Sequence, residues 1–354
     1  MSLANPHTRF ERPPGSDAIE PPEAHGVARD GVKLLVARPG AIIHGRFADL
    51  GDHLSPGDLL VVNNSATLPA AVDAVRAGEP TVVHFSTALD SPKWVVELRP
   101  GVNATRHLRN VEPGERIQLP DGATLTVIAS YPEPGAAGSR LWTSRLAIEG
   151  DVTAFLTRHG RPIRYRYVPR QWPLRSYQTV FARRPGSAEM ASAARPFSTE
   201  LVTSLVASGI AIAPITLHAG VSSAEPGEPP AAEPFEVPPA TARLVNLTRA
   251  SGGRVIAVGT TVTRALESAV THDGVVTATS DWTDLVLGPD RPARVVDGLI
   301  TGWHDAGASH LLLLEAVAGP DLVGAAYRAA VEHGYLWHEF GDSALLLPSR
   351  RRSR

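Results

Sequence analysis

Gly259-Thr260-Thr261 follows the apolar run Val255 to Val258 and precedes Val262, Ala265, Leu266 and Ala269, which recur at helical spacing. Such a strand, tight turn and helix start leaves backbone N–H groups free at the positive end of a helix dipole. Phosphate and carboxylate groups bind there. The same pattern also builds an ordinary strand–turn–helix with no ligand. Thr261 or Thr263 is expected to cap the helix through its hydroxyl. A second stretch, 161–184, interleaves arginines, among them Arg164, Arg166, Arg170 and Arg183, with Tyr165, Tyr167, Trp172 and Tyr177. Arginines can contact phosphates while aromatic rings stack on bases. The plainer reading is a solvated loop whose tyrosines cover the core.

Composition narrows the chemistry. The chain has 354 residues, a length suited to two domains or one large domain with an insertion. It has no cysteine, which removes disulfides, cysteine–zinc sites and a thiol nucleophile. His333 and His338 flank a turn rather than share a helix face, so no metal is expected. The net charge of −2 lacks the overall basic excess of a dedicated nucleic-acid binder, so any such contact rests on a local patch. The N-terminal stretch has no apolar core of a signal peptide, and no apolar run reaches membrane-spanning length. A cytoplasmic protein is the expectation.

The elements that position these residues alternate. Strands are expected at 33–37, 58–63, 210–217, 255–258 and 295–300, and helices at 151–159, 199–208, 240–250, 310–318 and 320–333. Tyr335 to Glu339 and Ala344 to Leu347 read as a closing hairpin around Gly341-Asp342. This alternation implies an α/β main domain, residues 1–68 and 150–354, with a largely parallel sheet and helices on its faces. Between them, residues 69–149 carry short alternating runs separated by turn signals such as Arg99-Pro100-Gly101 and Asp121-Gly122. That pattern indicates an inserted small β-barrel-like domain. Ligands of such sheets bind beyond the carboxyl ends of the strands, where His218, Gly259 to Thr261 and Thr301 to His304 are expected to converge.

Several stretches, in order, carry a family resemblance. They are LSPGDLLVVN at 54–63, YQTVFAR at 177–183, TLHAG at 216–220, GRVIAVGTT at 253–261 with Arg264 and Leu266 to Ser268, VDGLIT at 296–301 with His304, and Gly341-Asp342. Together they span most of the chain, and they resemble the S-adenosylmethionine:tRNA ribosyltransferase-isomerases of queuosine biosynthesis. The resemblance implies an α/β domain with a barrel-like insertion. It implies S-adenosylmethionine as ribosyl donor, and as acceptor the aminomethyl group of a 7-deazaguanine in tRNA. Adenine and methionine leave, and the sugar rearranges to an epoxycyclopentane. Such a reaction needs a base for a proton beside the sulfonium and an acid for departing adenine. Histidine suits both. By resemblance, His218 and His304 are the candidates, with Asp297 orienting a histidine or holding a ribose hydroxyl. Gly259, Thr260, Thr261, Tyr177 and Gln178 are the matched donor-binding positions, and Arg264 or the helix start would take the methionine carboxylate. Arg264 has a local alternative, an ion pair with Glu267 on its own helix.

The chain departs from the family pattern at loops. The NDTRV-like turn reads Asn63-Asn64-Ser65-Ala66-Thr67, and the APTAGLHF-like stretch reads Met190 to Phe197, with Pro196 at the histidine position. The ITNFHLPKST-like loop reads Ile300 to Ser309, without its asparagine and lysine, and the loops at 218–224 and 232–235 differ too. Three readings follow: a ribosyltransferase-isomerase acting on tRNA, a paralogue using S-adenosylmethionine with a different, small-molecule acceptor, and a non-catalytic nucleotide- or RNA-binding protein.

Overall fold

The apolar runs Leu59–Asn63 and Val255–Val258 lie parallel and adjacent near the middle of a nine-stranded sheet, buried along their whole length. Strands covered on both faces have no polar side to alternate with, so they read as continuous apolar runs. The computed structural model describes residues 4–101, 104, 106–136, 138–221 and 230–349. Across the sheet the strands run Thr279–Thr283, Glu233–Val237, Ala211–Leu217, Leu59–Asn63, Val255–Val258, Gly298–Thr301, Ser343–Leu346, Lys33–Arg38 and Ala41–Arg46. Four neighbouring pairs are parallel and four antiparallel. The sheet is therefore mixed. The expected parallel order holds for the central run from Ala211–Leu217 to Gly298–Thr301, and antiparallel pairs flank it. Asp58 ties the central strands together at their start: it forms an ion pair with Arg254 and accepts the Arg254 N–H at 3.1 Å.

Helices cover both faces. On one, Thr199–Ala207, capped by Ser198, packs Leu201 and Leu205 against Phe47, Leu50 and Phe197. On the other lie Pro239–Ala250, Thr260–Ser268, Ser309–Ala318 and Pro320–Glu332. Every residue from Leu311 to Ala318 is buried, which explains why that stretch is apolar apart from Glu315, whose carboxylate accepts the His7 and Thr8 N–H groups at 3.1 and 2.6 Å. Among the described residues, no helix is long and apolar enough to cross a membrane.

Six antiparallel strands between Ala71 and Ala147 close into a barrel through the pairing of Ala71–Arg76 with Arg116–Gln118. Its interior takes Phe155 and Leu156 from the helix Val152–His159, which Asp151 caps at 2.9 Å. Closure leaves this small sheet without free edges.

Three local expectations need correction. The helix after Val258 starts at Thr260 with Gly259 as its cap, at φ 101°, so neither Thr261 nor Thr263 caps it. Thr263 instead donates its hydroxyl back to the Gly259 carbonyl at 3.2 Å. The closing hairpin is absent: only Ser343–Leu346 is a strand, parallel to Lys33–Arg38 and antiparallel to Gly298–Thr301. Asp342 organises the preceding turn by accepting N–H groups from Leu336 and Lys33 at 2.8 and 2.7 Å. The strand expected from Val295 begins at Gly298, because Glu267 takes the N–H groups of Val295 and Val296 out of the ladder.

Candidate active site

A cavity of about 200 Å³ opens beyond the carboxyl ends of Val255–Val258 and Gly298–Thr301. Gly259, Thr260 and Thr261 form one wall. The Gly259 N–H is used by the Ile300 carbonyl at 2.8 Å, and the helix bonds begin with the Thr263 N–H. The intervening N–H groups of the first turn have no partner inside the helix. Gly259 is required here twice over, since its φ is positive and a Cβ would come within 3.3 Å of the Ala193 methyl.

Arg264 lines the same cavity one turn along the helix, but its donors are engaged. It forms an ion pair with Glu233, donates to the Thr283 carbonyl at 2.8 Å and to the Leu285 carbonyl at 3.2 Å. Glu233 in turn accepts the Gly220 N–H at 2.9 Å. The arginine therefore joins the helix to the two outermost strands on that side and braces the cavity wall. Glu267, the partner anticipated from spacing, holds the N–H groups of Arg294, Val295 and Val296 and meets Arg291 instead.

His304 and His310 face one another across 4.4 Å with their rings 4° from parallel, and both line the cavity. His304 Nε2 is 3.1 Å from the Thr301 hydroxyl, while its backbone N–H meets Tyr327 Oη at 3.2 Å. Burial first, then the neighbouring His310 and His338, holds the pKa of His304 well below the usual range. Burial, then Arg264, brings His310 down to about 4. Both rings are neutral at pH 7, so either can accept a proton or a hydrogen bond without first losing one.

The remaining expected residues stand elsewhere. His218 lines a separate pocket with Arg184, Thr216, Glu236 and Trp282, its Nδ1 2.7 Å from the Ser65 hydroxyl. Gly186 makes room for it: a Cβ there would lie 2.5 Å from the imidazole. His218 and His304 therefore do not converge. Asp297 sits at the opposite end of the sheet, before the strand Gly298–Thr301, where its carboxylate accepts the Val255 N–H at 2.9 Å. From there it neither orients a cavity histidine nor meets a ligand in the cavity. Tyr177 is buried among Val168, Met190 and Phe340. Gln178 spends both ends of its amide on the Thr67 backbone, at 3.0 and 2.8 Å. Arg164 curls onto the carbonyls of Val168 and Pro169, whereas Arg166, Arg170 and Arg183 are exposed. Arg170 pairs with Glu20 at 3.0 Å and lies over the Trp172 ring at 4.0 Å.

The family model for queuosine biosynthesis protein matches residues 7–346. The chain belongs to this family. It is 36% identical to the S-adenosylmethionine:tRNA ribosyltransferase-isomerase of Moorella thermoacetica, over 96% of this chain and 98% of that protein. It is 34% identical to the one from Thermus thermophilus, with the same coverage. The crystal structure of S-adenosylmethionine tRNA ribosyltransferase from Thermotoga maritima matches with a TM-score of 0.52 and 26% identity, covering 96% of this chain and 99% of that one.

Within this family member, two cavity residues escaped the sequence reading. His310 had one visible signal: it is the titratable residue immediately before the run Leu311 to Leu314, at the start of a helix buried from Leu311 onward. Glu339 lines the cavity from the turn before Gly341-Asp342. It sits between Trp337-His338 and Phe340, a setting that gave no sign of its place.

Proposed function

We propose that this chain transfers the ribosyl part of S-adenosylmethionine to a base of tRNA and rearranges it, the activity for which its relatives are named. One observation carries the reading: Gly259–Thr261, in a stretch that resembles the family, opens its helix start into the cavity holding His304 and His310. In this reading the helix start receives the methionine carboxylate, where free N–H groups and the dipole favour negative charge. Arg264 holds the wall rather than the ligand. A proton on carbon beside a sulfonium is acidified by the adjacent positive sulfur, and the neutral His304 ring is the proposed acceptor. His310, stacked on it, keeps the pair desolvated. The exposed Arg166, Arg170 and Arg183 are the proposed phosphate contacts for tRNA, and the cytoplasm is the proposed location. Residues 1–68 and 150–354 form the proposed catalytic domain, and 69–149 the insertion.

The test supplies S-adenosylmethionine and tRNA carrying the aminomethyl-7-deazaguanine base. Release of adenine and methionine is expected, and no adenine release with that tRNA overturns the reading. A second reading, the same donor with a small-molecule acceptor, is favoured by one feature. Met190, Ala191, Ala219, Glu233 and Gly302, which line the cavity, lie in the loops that depart from the family pattern. Adenine release with a free deazaguanine base but not with tRNA is the result that selects it.

A further inference from the structure

Three acidic side chains line the cavity: Glu189, Glu233 and Glu339. Glu233 is committed to Arg264 and the Gly220 N–H, and Glu189 has an interaction partner as well. Glu339 differs. Its Oε2 is buried and has no hydrogen-bond partner among the described residues. Its backbone N–H lies 3.5 Å from Tyr167 Oη and gives its own carboxyl a weak pull. No arginine or lysine is paired with it among the described residues; the guanidinium across the cavity, Arg264, belongs to Glu233. A carboxylate in this position is short of both water and counter-charge, a costly state for a buried anion. A cation entering the cavity supplies what it lacks.

We propose that Glu339 is the counter-charge for the sulfonium of the donor, losing its proton when that cation binds. The inference rests on the S-adenosylmethionine reading above and adds to it the residue that selects a charged sulfur over a neutral one. The rest of the cavity fits this division. The helix start at Gly259–Thr261 suits the carboxylate end of the ligand. His304 and His310 are neutral and do not repel a cation. The groups facing Glu339 are Tyr165 and Tyr167 from the 161–184 segment, Glu189 from the loop before Met190, and the cavity histidines. Tyr165 is held protonated by burial, with Glu339 and Glu189 adding to the effect. Burial alone pushes the Glu339 carboxyl up to about 7, against a smaller opposing pull from its backbone hydrogen bond. The empty site therefore holds its proton to higher pH than an ordinary carboxyl, and a bound sulfonium, which favours the carboxylate, expels it.

S-adenosylhomocysteine is the discriminating probe, because it lacks the methyl group and the positive charge at sulfur but keeps the adenosine, carboxylate and ammonium. Calorimetry at pH 7 would compare both ligands on the wild-type protein and Glu339→Gln, in two buffers of different ionisation enthalpy. The wild type is expected to prefer S-adenosylmethionine by about tenfold or more, the scale of one charge-assisted contact, with proton release on binding. Its affinity for that ligand rises from pH 6 to pH 8. Glu339→Gln is expected to bind the two ligands within about threefold, with no proton release and no such pH dependence. A selectivity that survives in Glu339→Gln, or a variant weakened equally for both ligands, overturns the assignment. A wild-type protein that binds both alike overturns it while leaving the donor reading intact; one that binds neither overturns both. Glutamine matches the volume of glutamate, and an unchanged thermal unfolding midpoint of the variant near pH 4.5 to 5, where the wild-type group is protonated, confirms that binding is compared on the same fold.

Discussion

Glu97 and Glu339 each have a carboxylate oxygen shut off from water, and their surroundings drive them in opposite directions. Glu97 lies inside the barrel with its side chain fully buried. Its Oε2 accepts from Arg99 Nε at 2.6 Å and its Oε1 from Arg140 Nη1 at 3.0 Å, while His84 Nδ1 stands 3.6 Å away. Burial draws its pKa upward, but the surrounding His84, Arg99 and Arg140 outweigh that and hold it at about 2. Glu339, partly exposed as a residue but with its Oε2 shut off from water beside the cavity, has no cationic partner among the described residues and rises to about 7. Burial is common to both; compensation is not. A compensated buried charge fixes the positions of the strands that supply its partners. An uncompensated one costs the apo fold something that only a ligand offsets, which is why it points to a site.

The largest expected effect breaks the compensated side. Glu97→Ala leaves Arg99 and Arg140 without their shared carboxylate inside the barrel. A loss of about 3–5 kcal/mol of stability is expected, read from urea unfolding at pH 7. Its pH signature has a definite sign. The folded-state pKa of Glu97 lies below its ordinary value of 4.5, so its contribution is present above about pH 4.5 and lost as pH falls toward 2. Wild-type protein should lose stability through that window faster than Glu97→Ala. Equal acid sensitivity of the two would show that the arginines do not stabilise the carboxylate.

Next comes the contrast between the two pockets. His304 lines the main cavity and His218 does not. His304→Ala is expected to lower kcat by roughly 100-fold or more, the scale of a lost proton-transfer group. His218→Ala is expected to stay within about tenfold of wild type, since its ring is bonded to Ser65 outside the cavity. Adenine release under saturating donor and acceptor measures both. If His218→Ala is the more damaged variant, the cavity has been assigned to the wrong histidine.

These contrasts also explain what the sequence could reveal. Val255–Val258 and the helix after it were legible because period and apolarity act over neighbouring residues, and burial on both faces erases any alternation. The helix start was misplaced because Gly259 can hold a positive φ, a backbone property that Thr261 and Thr263 do not advertise. Glu233–Val237 and Thr279–Thr283 were missed as strands. They are short, half polar and held partly by Arg264, whose partners Glu233 and Thr283 lie 31 and 19 residues away. The same distance in sequence hid the cavity. His310 and Glu339 meet Gly259–Thr261 only after the strands between them have been ordered in space, and Asp297 was grouped with His304 until the direction of Gly298–Thr301 put it at the other end. The six-stranded barrel was legible in outline from its turns. Its buried Glu97 was not, because Arg99 is two positions away but Arg140 is 43.

The smallest expected effect concerns stability on the uncompensated side. Glu339 has a folded-state pKa raised above its ordinary value of 4.5, to about 7. The protonated form is therefore the one the fold tolerates. Its contribution is favourable below about pH 4.5 and is lost as pH rises through 7. Glu339→Gln keeps the shape and removes the titration. Without ligand the variant should match wild type near pH 5 and exceed it at pH 8 by a modest margin, on the order of 1 kcal/mol given partial exposure of the residue. Thermal unfolding midpoints across pH 5 to 8 measure the crossing. A saturating sulfonium ligand should reverse the order, because it stabilises the wild-type carboxylate and finds no charge in the variant. A variant less stable than the apo wild type at pH 8 would mean that Glu339 is compensated after all, and that the two glutamates differ less than their neighbours imply.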